Sequence, residues 1–536
     1  MIYIDHLEKE IGDRVLFAIK KLTINVNDKI GLIGNNGVGK TSLLRILSGH
    51  DTEYSGYIDI QTNIAYLLDR EEELEFSEED YLKAEVDNQG NNSPGESQRL
   101  KLTKLLSNKS AFLLVDEPTS HLDIKQKERL IESLRNRKLG FILISHDRDF
   151  INQTCNKIFE LSNGELEVFN GDYSFYLEER IKRKKFAQRE YDAYVSEKKR
   201  LAGIASDIKV QSSKVRTTPK RMGNSEARLH KMGGQENKKK LDKQVKAINS
   251  RINQLEVKER PKEESQIKLS IGERDKIFSK VLVRAKKLNK RFGEKLIFDN
   301  AYFEIQNNTK IALLGDNGSG KTTLLNMILK REIWVHPNLK IGYYSQLGET
   351  LNSNKNILEN VVETSIYDES MTRIILARLG FKMNEVYKNI DVLSDGERAK
   401  VKLAKLLTSD FNFLIMDEPS NFLDISSIEA LEELLKGYDR ALLFVTHDVS
   451  FINNVADGLL MIEEHMIESF RGNLAQFKKR QEEKKINTSA DDFLLEFRLT
   501  SINNRLTQDI PKEEREELEA EYNKLLQQKK KWLKYL

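Results

Sequence analysis

A chain of 536 residues is too long for one hydrophobic core, so two domains of ordinary size plus connecting segments are expected. With 32% charged residues, a mean hydropathy of −0.55 and no apolar run of about eighteen residues, no membrane-spanning helix is encoded. The start, MIYIDHLEKE, has neither the basic nor the apolar region of a cleaved signal, which reads as a cytoplasmic protein, and a single cysteine, Cys155, excludes an internal disulfide and a cysteine-built zinc or iron–sulfur centre.

The charge is uneven. Residues 178 to 262 hold 25 Lys and Arg against 11 Asp and Glu, a net of +14, which leaves −11 on the rest of a chain whose formal net charge is +3. A basic stretch confined in this way points to a partner of opposite charge as readily as to solubility.

In chain order, the apolar run KIGLI at 29 to 33 predicts a strand. It leads into GNNGVGKT, whose Gly34, Asn35, Asn36, Gly37, Val38, Gly39, Lys40 and Thr41, with Ser42 after them, precede a helical pattern, LLRIL. That is the strand, loop and helix order a phosphate-binding loop requires. IAYLLD ends on Asp69, and residues 70 to 92 are an acidic run followed by NQGNN. SPGES at 93 to 97 supplies Ser93, Gly95 and Glu96; FLLVDEP puts Asp116 and Glu117 at the end of a buried strand; SHLD fills 120 to 123, and LISHD carries His146.

From about Tyr173 to Ser206 nothing breaks a helix, which predicts a rod of roughly 45 Å at 1.5 Å per residue. A second helix from about Glu236 to Val257 returns antiparallel. Between them, residues 207 to 235 form an irregular tip with seven Lys or Arg, among them Lys209, Lys214, Arg216, Lys220 and Arg221, against Asp207 and Glu226. The tip has no Phe, Trp or Tyr, so it offers phosphate and shape contacts to RNA rather than stacking on unpaired bases; the alternative is a solvated linker.

The second half repeats the first. KIALL at 310 to 314 leads into Gly315, Asp316, Asn317, Gly318, Ser319, Gly320, Lys321 and Thr322, followed by Thr323 and another helical pattern. LSDGER brings Ser394, Gly396 and Glu397, FLIMDEP brings Asp417 and Glu418, NFLD fills 421 to 424, and FVTHD carries His447. The offset is 301 residues for Ser93 to Ser394, Glu117 to Glu418 and His146 to His447, but 281 between Lys40 and Lys321, because the second half holds 20 more residues there. Those include the predicted helices ILENVVETSI and MTRIILARLGF. The expected division is 1–172, a basic linker 173–279, 280–473, and a C-terminal helical hairpin 474–536, where Ser489 with Asp492 fits a capping box and Pro511 suits a first helical turn.

Each motif has a chemical reason. The loop glycines let backbone N–H groups face phosphate, and the following helix points its positive end at the same anion. Lys40 suits the β and γ phosphates, Thr41 offers a hydroxyl to Mg²⁺, and Asp116 holds that ion through its water shell. Glu117 is placed to polarise the attacking water and His146 to contact the γ-phosphate. Lys321, Thr322, Asp417, Glu418 and His447 repeat these roles.

On these residues the chain resembles the ABC ATPase superfamily, and within it the ABC-F group of cytosolic twin-cassette proteins that act on ribosomes. The resemblance implies an α/β fold of two tandem ABC-type P-loop ATPase domains joined by a long α-helical hairpin linker, acting as an ATP hydrolase with Mg²⁺. It implies that each ATP lies between one P-loop and the opposite signature, so that Lys40, Thr41, Asp116 and Glu117 face Ser394, Gly396 and Glu397, while Lys321, Thr322, Asp417 and Glu418 face Ser93, Gly95 and Glu96. Phe292 fits the family's adenine platform and Gln346 its Q-loop ligand to nucleotide and metal. The first half departs at both places, with Ile11 and Asp69, and Pro94 and Asp395 replace the first signature glycine.

The resemblance also implies the partner: a 70S ribosome, with the linker inserted at the exit site toward 23S rRNA and the P-site tRNA. The chain is read as a monomer whose cassettes pair with each other. The long tip and trimmed first cassette look like the branch that protects ribosomes from pleuromutilins, lincosamides and streptogramin A drugs. The alternatives are a housekeeping elongation regulator and, from another class, a transporter motor, which needs a membrane partner. DNA repair ATPases of the superfamily carry zinc modules that one cysteine excludes.

Overall fold

The computed structural model describes residues 1–12, 14–67, 94–120, 122–215, 234–258, 277–345 and 351–481, together with 77, 81, 84, 499, 502, 520, 523 and 524. Its two halves share one topology. In the first, β1 (Ile2–Ile11) lies between β2 (Arg14–Ile24) and β4 (Ser55–Ile60) in an antiparallel sheet. A second sheet has the order β5 (Ile64–Leu67), β6 (Phe112–Asp116), β7 (Phe141–Ile144), β3 (Lys29–Ile33), β8 (Lys157–Ser162) and β9 (Glu165–Phe169). All its neighbours are parallel except β8 and β9.

The second half repeats this with β10 (Val281–Phe292) between β11 (Lys295–Gln306) and β13 (Trp334–Val335). Its parallel sheet runs β14 (Ile341–Tyr344), β15 (Phe413–Asp417), β16 (Ala441–Val445), β12 (Lys310–Gly315), β17 (Gly458–Glu463) and antiparallel β18 (Met466–Arg471). The central strands are apolar along their length because both faces are covered; Phe112 to Val115 and Phe413 to Met416 are all buried. The functional segments leave the carboxyl ends of these strands, where an open parallel sheet places its ligands. β3 and β12 lead into the P-loops, β6 and β15 end at Asp116 and Asp417, and His146 and His447 follow β7 and β16 closely.

The first linker helix is longer than its sequence predicts. α5 (Tyr173–Lys214) runs 42 residues, roughly 63 Å at 1.5 Å per residue, and its partner is α6 (Gln235–Gln254). Residues 207 to 214, expected in the irregular tip, are helical because DIKVQSSK contains no breaker and the return helix supports it. Ser212 Oγ donates to Asp242 Oδ1 at 2.6 Å, and Lys258 lies 3.8 Å from Glu190, about midway along α5, so the two helices are antiparallel. Leu201, Ala205 and Ser212 form the buried seam. Lys209 and Lys214 are therefore exposed helical residues, while Arg216, Lys220 and Arg221 lie outside the described residues. So does most of the C-terminal hairpin, with Ser489, Asp492 and Pro511.

The base of α5 is anchored. Asp172 caps it by accepting from Phe175 N at 2.9 Å, and Tyr173 and Tyr176 enter a core cluster of the first half that also takes in Ile425 of the second. Among the described residues no helix is long and apolar enough to cross a membrane.

Candidate active sites

The two P-loops have the same backbone. Gly34 and Gly315 have φ of 152° and 153°, and a Cβ on Gly34 would lie 2.3 Å from the Leu161 carbonyl oxygen, so only glycine lets the loop turn against its neighbouring strand. From the helices that follow, α1 (Lys40–Leu47) and α7 (Lys321–Leu329), the lysines reach back over their own loops. Lys40 Nζ donates to the carbonyls of Gly34 at 2.7 Å and Asn35 at 3.0 Å; Lys321 Nζ donates to Gly315 at 2.8 Å and Asp316 at 3.1 Å. Burial pushes the pKa of both ammonium groups down, and an anion arriving at the loop favours their charged form.

Thr41 Oγ1 donates to Asp116 Oδ2 at 2.7 Å, and their second-half counterparts Thr322 and Asp417 line one cavity. The described residues hold no cluster of three or more His, Cys, Asp or Glu able to bind a metal alone. A hydroxyl and a carboxylate with room for phosphate oxygens is instead the donor set that suits Mg²⁺, which keeps waters and takes few protein ligands.

Glu117 and Glu418 sit in the left-handed region at φ 45° and 50°, a conformation that costs free energy in a non-glycine residue and recurs at functional sites. Each is held by its own N–H, bonded to Ile144 O and Val445 O at 2.9 Å. Burial pushes the Glu117 carboxyl up to about 8, with Asp116 adding to the rise, and pushes Glu418 up to about 7. His146 Nε2 lies 3.4 Å from Glu117 Oε1 and His447 Nε2 lies 3.6 Å from Glu418 Oε1. Burial lowers both imidazoles to about 3. Each site thus pairs a neutral histidine with a carboxyl poised near neutrality, where a general base is effective.

The halves meet head to tail. Asn36 N donates to Asp424 Oδ2 at 3.3 Å and Asn36 Nδ2 to Phe422 O at 2.9 Å. In the mirror position Asn317 N approaches Asp123 Oδ2 at 3.5 Å, and Lys125 pairs with Asp316 at 2.7 Å. Signature Gly396 closes on the first P-loop, where a Cβ would lie 2.9 Å from Asn36 Nδ2. Its neighbour Ser394 caps α10 (Asp395–Thr408) in a capping box with Glu397. A cavity of about 800 Å³ lies in this junction, lined by Asn36, Glu117 and His146 from one side and by Lys321, Glu418, His447 and Gly396 from the other; its size suits a small-molecule ligand.

Phe292 is 58% exposed at the tip of β10 with Lys290 over its ring, and Ile11 is 60% exposed at the tip of β1. Both stand free to meet a planar ligand, and only one is aromatic. Glu96 pairs with Arg99 at 3.9 Å near the start of α2 (Pro94–Ser107), the helix that contains Gly95. Ser93, Gln346 and Asp69 lie outside the described residues.

The site also contains residues not singled out from the sequence. Asp123 and Asp424 each divide their two oxygens: Oδ1 caps the following helix, accepting from Gln126 N and Ser427 N at 2.9 Å, and Oδ2 faces the opposite P-loop. Burial works to raise the Asp424 carboxyl, but Lys400 at 3.0 Å and the Ser427 and Ser426 donors outweigh it and hold it well below the usual range. SHLD and NFLD were the signal for this pair. Lys400 had none.

Fold and site define a twin-cassette ATPase of the ABC type. The profile of the family described as ABC transporter matches residues 19–77 and 298–421. The ribosome protection protein VmlR of Bacillus subtilis (strain 168) is 31% identical over 510 residues, covering 92% of each chain. The erythromycin resistance ATP-binding protein MsrA of Staphylococcus epidermidis is 33% identical over 445 residues, covering 80% of this chain and 91% of its own. Among solved structures, the archaeal ribosome recycling factor aABCE1 in complex with the stalk protein aP1 shares the fold at 18% identity with a TM-score of 0.58, covering 89% of this chain and 92% of that one. The chain belongs to the ABC-F family of ATPases.

Proposed function

We propose that this ATPase binds the ribosome and protects it from antibiotics acting at the peptidyl transferase centre, by placing its interdomain linker near the P-site tRNA and leaving when ATP is hydrolysed. In this reading Glu117 and Glu418 take the proton of the attacking water, His146 and His447 meet the γ-phosphate, and Thr41, Asp116, Thr322 and Asp417, with Gln346, hold Mg²⁺, which neutralises phosphate charge when bound. Ser394 and Gly396 close over the Lys40 site, and Ser93 and Gly95 over the Lys321 site. The exposed ends of Lys209 and Lys214, continuing into Arg216, Lys220 and Arg221, face rRNA or tRNA phosphates. A cytoplasmic location and a monomer follow from that partner and from pairing of the cassettes within one chain.

The observation that carries the reading is the anchoring of α5 at the cassette junction. Tyr173 and Tyr176 share a core cluster with Ile425, the residue after Asp424, which itself contacts the opposite P-loop. Arg180 of α5 also pairs with Glu429 of the second cassette at 3.4 Å. Closing the cassettes therefore sets the direction of a rod roughly 63 Å long. The names of VmlR and MsrA support the ribosomal and drug-related parts of the reading.

The test is ATP-dependent co-sedimentation with 70S ribosomes, set beside drug susceptibility with and without the gene. Ribosome binding with higher tolerance of pleuromutilins, lincosamides or streptogramin A is the expected result. Binding with unchanged tolerance of all of them fits a housekeeping elongation factor and rejects protection.

A further inference from the structure

The two cassettes place equivalent elements at their interface, but the buried charges there are not equivalent. At the offset of 301 that relates Asp123 to Asp424 and His146 to His447, Lys127 corresponds to Ile428. Both are the fourth residue of equivalent helices, α3 (Ile124–Arg135) and α11 (Ile425–Lys436). Lys127 is buried, and its Nζ donates to Asp147 Oδ2 at 2.6 Å and to the His447 carbonyl oxygen at 2.8 Å. The second of these belongs to the other cassette. Ile428 is also buried, and has no donor to give.

The acidic partners show the same break in symmetry. Asp147 follows His146 and Asp448 follows His447, and each caps its helix by accepting a backbone N–H from Phe150 or Phe451. The second oxygen of Asp147 takes Lys127. The second oxygen of Asp448 is buried with no hydrogen-bond partner among the described residues. A neighbouring contact runs in the same direction, since Arg148 of the first cassette forks onto Glu432 of the second, and the offset puts Val449 opposite Arg148. In both of these contacts across the interface the buried cation comes from the first cassette and an acceptor from the second.

A buried ammonium is stable only while its acceptors are in place. Lys127 can keep both Asp147 and the His447 carbonyl only when the cassettes are closed. Of the charged groups near it, Asp147, Asp448 and Glu418 favour its charge.

From this we infer that Lys127 is a positioning residue acting in trans: it reaches from the first cassette to hold the backbone of His447 at the Lys321 site, whereas its counterpart Ile428 can give the His146 backbone no such bond at the Lys40 site. The inference rests on the assignment of Glu418 and His447 to hydrolysis. It makes the two sites mechanically unequal for a reason separate from Phe292 and Gln346.

The experiment uses the full chain with steady-state ATPase assays. Glu418→Gln and Glu117→Gln isolate the Lys40 and Lys321 sites respectively, and if Glu418→Gln leaves turnover unchanged, the catalytic assignment itself is lost. Lys127→Met keeps the aliphatic stem and removes the charge. In the Glu117→Gln background it should lower kcat on the order of tenfold, as expected for loosened positioning, with KM for ATP within about twofold. In the Glu418→Gln background the same change should leave kcat within about twofold. The exchange Lys127→Ile with Ile428→Lys, which offers the new ammonium to Asp448, should move the advantage to the Lys40 site. Equal losses at both sites, a loss in KM alone, or an exchange that transfers nothing would overturn the inference and return Lys127 to interface packing.

Discussion

Asn36 in the first P-loop gives its side-chain amide to the carbonyl of Phe422, 386 residues away, at 2.9 Å. Phe422 stands two residues before Asp424, which takes the backbone N–H of the same asparagine. The loop that would cradle phosphate in one cassette is thereby fixed by the other, and each nucleotide site is a property of the closed pair.

Replacing Glu117 and Glu418, the two proposed bases, tests that pair directly. Glu117→Gln with Glu418→Gln keeps shape and burial but removes the base, so ATP should bind while turnover falls at least on the order of a hundredfold. The closed protein should accumulate on ribosomes in ATP. Of the single variants, Glu418→Gln should cost more, because Phe292 is aromatic where Ile11 is not. Normal turnover in the double variant, or equal losses in the two singles, would contradict these assignments.

The pH dependence separates the sites further. A general base works only when deprotonated, so the acid limb of kcat/KM follows the carboxyl pKa of the free enzyme. With Glu418 near 7 and Glu117 near 8, the Glu117→Gln enzyme should stay active to a lower pH than the Glu418→Gln enzyme. Stability should move with it. A carboxyl raised from its ordinary 4.5 to about 8 binds a proton in the folded state that the unfolded chain releases, so folding is progressively disfavoured as pH rises through that interval. Thermal melting at pH 8 should show Glu117→Gln more stable than the native chain, with the gap narrowing toward pH 5. A gap that widens as pH falls would mean that Glu117 is not buried as described.

Much of this was legible because the signals are local. KIGLI predicted β3 to the residue, and the 301-residue offset paired Glu117 with Glu418 and His146 with His447. What escaped depends on contacts distant in sequence. α5 extends to Lys214 partly because Ser212 finds Asp242 on the returning helix. The role of Lys127 depends on a carbonyl 320 residues away. The second oxygens of Asp123 and Asp424 are visible only once two P-loops stand opposite them. A helix pattern carries no information about which residue of another domain will cover it.

Asp424 offers a stability test of the interface. Its carboxyl is held well below its ordinary 3.8, so its contribution is fully present above that value and fades as pH falls through the lowered one. Asp424→Asn retains an oxygen for the cap but leaves Lys400 buried without its counter-charge. The variant should lose about 1–3 kcal/mol at pH 7, measured by denaturant unfolding, and the loss should shrink in acid. A pH-independent loss would assign the effect to packing alone.

The last expectation concerns the tip of the linker. Lys214 ends α5 exposed to solvent, and Arg216, Lys220 and Arg221 follow it in sequence, with Val215 and Met222 beside them. If these four cations neutralise rRNA or tRNA phosphates, changing all of them to Ala removes four sources of counterion release. The slope of log affinity against log salt should then flatten by about 3. Nucleotide affinity and melting temperature should hold, because the ATP sites lie between the cassettes and the tip lends them no contact among the described residues. Deleting Val215 to Met222 leaves the Ser212–Asp242 tie in place, so the helices of the hairpin keep their register while its reach is shortened. Drug protection should then disappear even where ribosome binding persists. With no aromatic in the tip to stack on a drug, displacement is expected to work through shifted rRNA or tRNA, and chemical probing of the peptidyl transferase centre should show altered nucleotide reactivity only with the intact tip. Unchanged resistance in a strain expressing the deletion at normal levels would return the segment to a solvated linker.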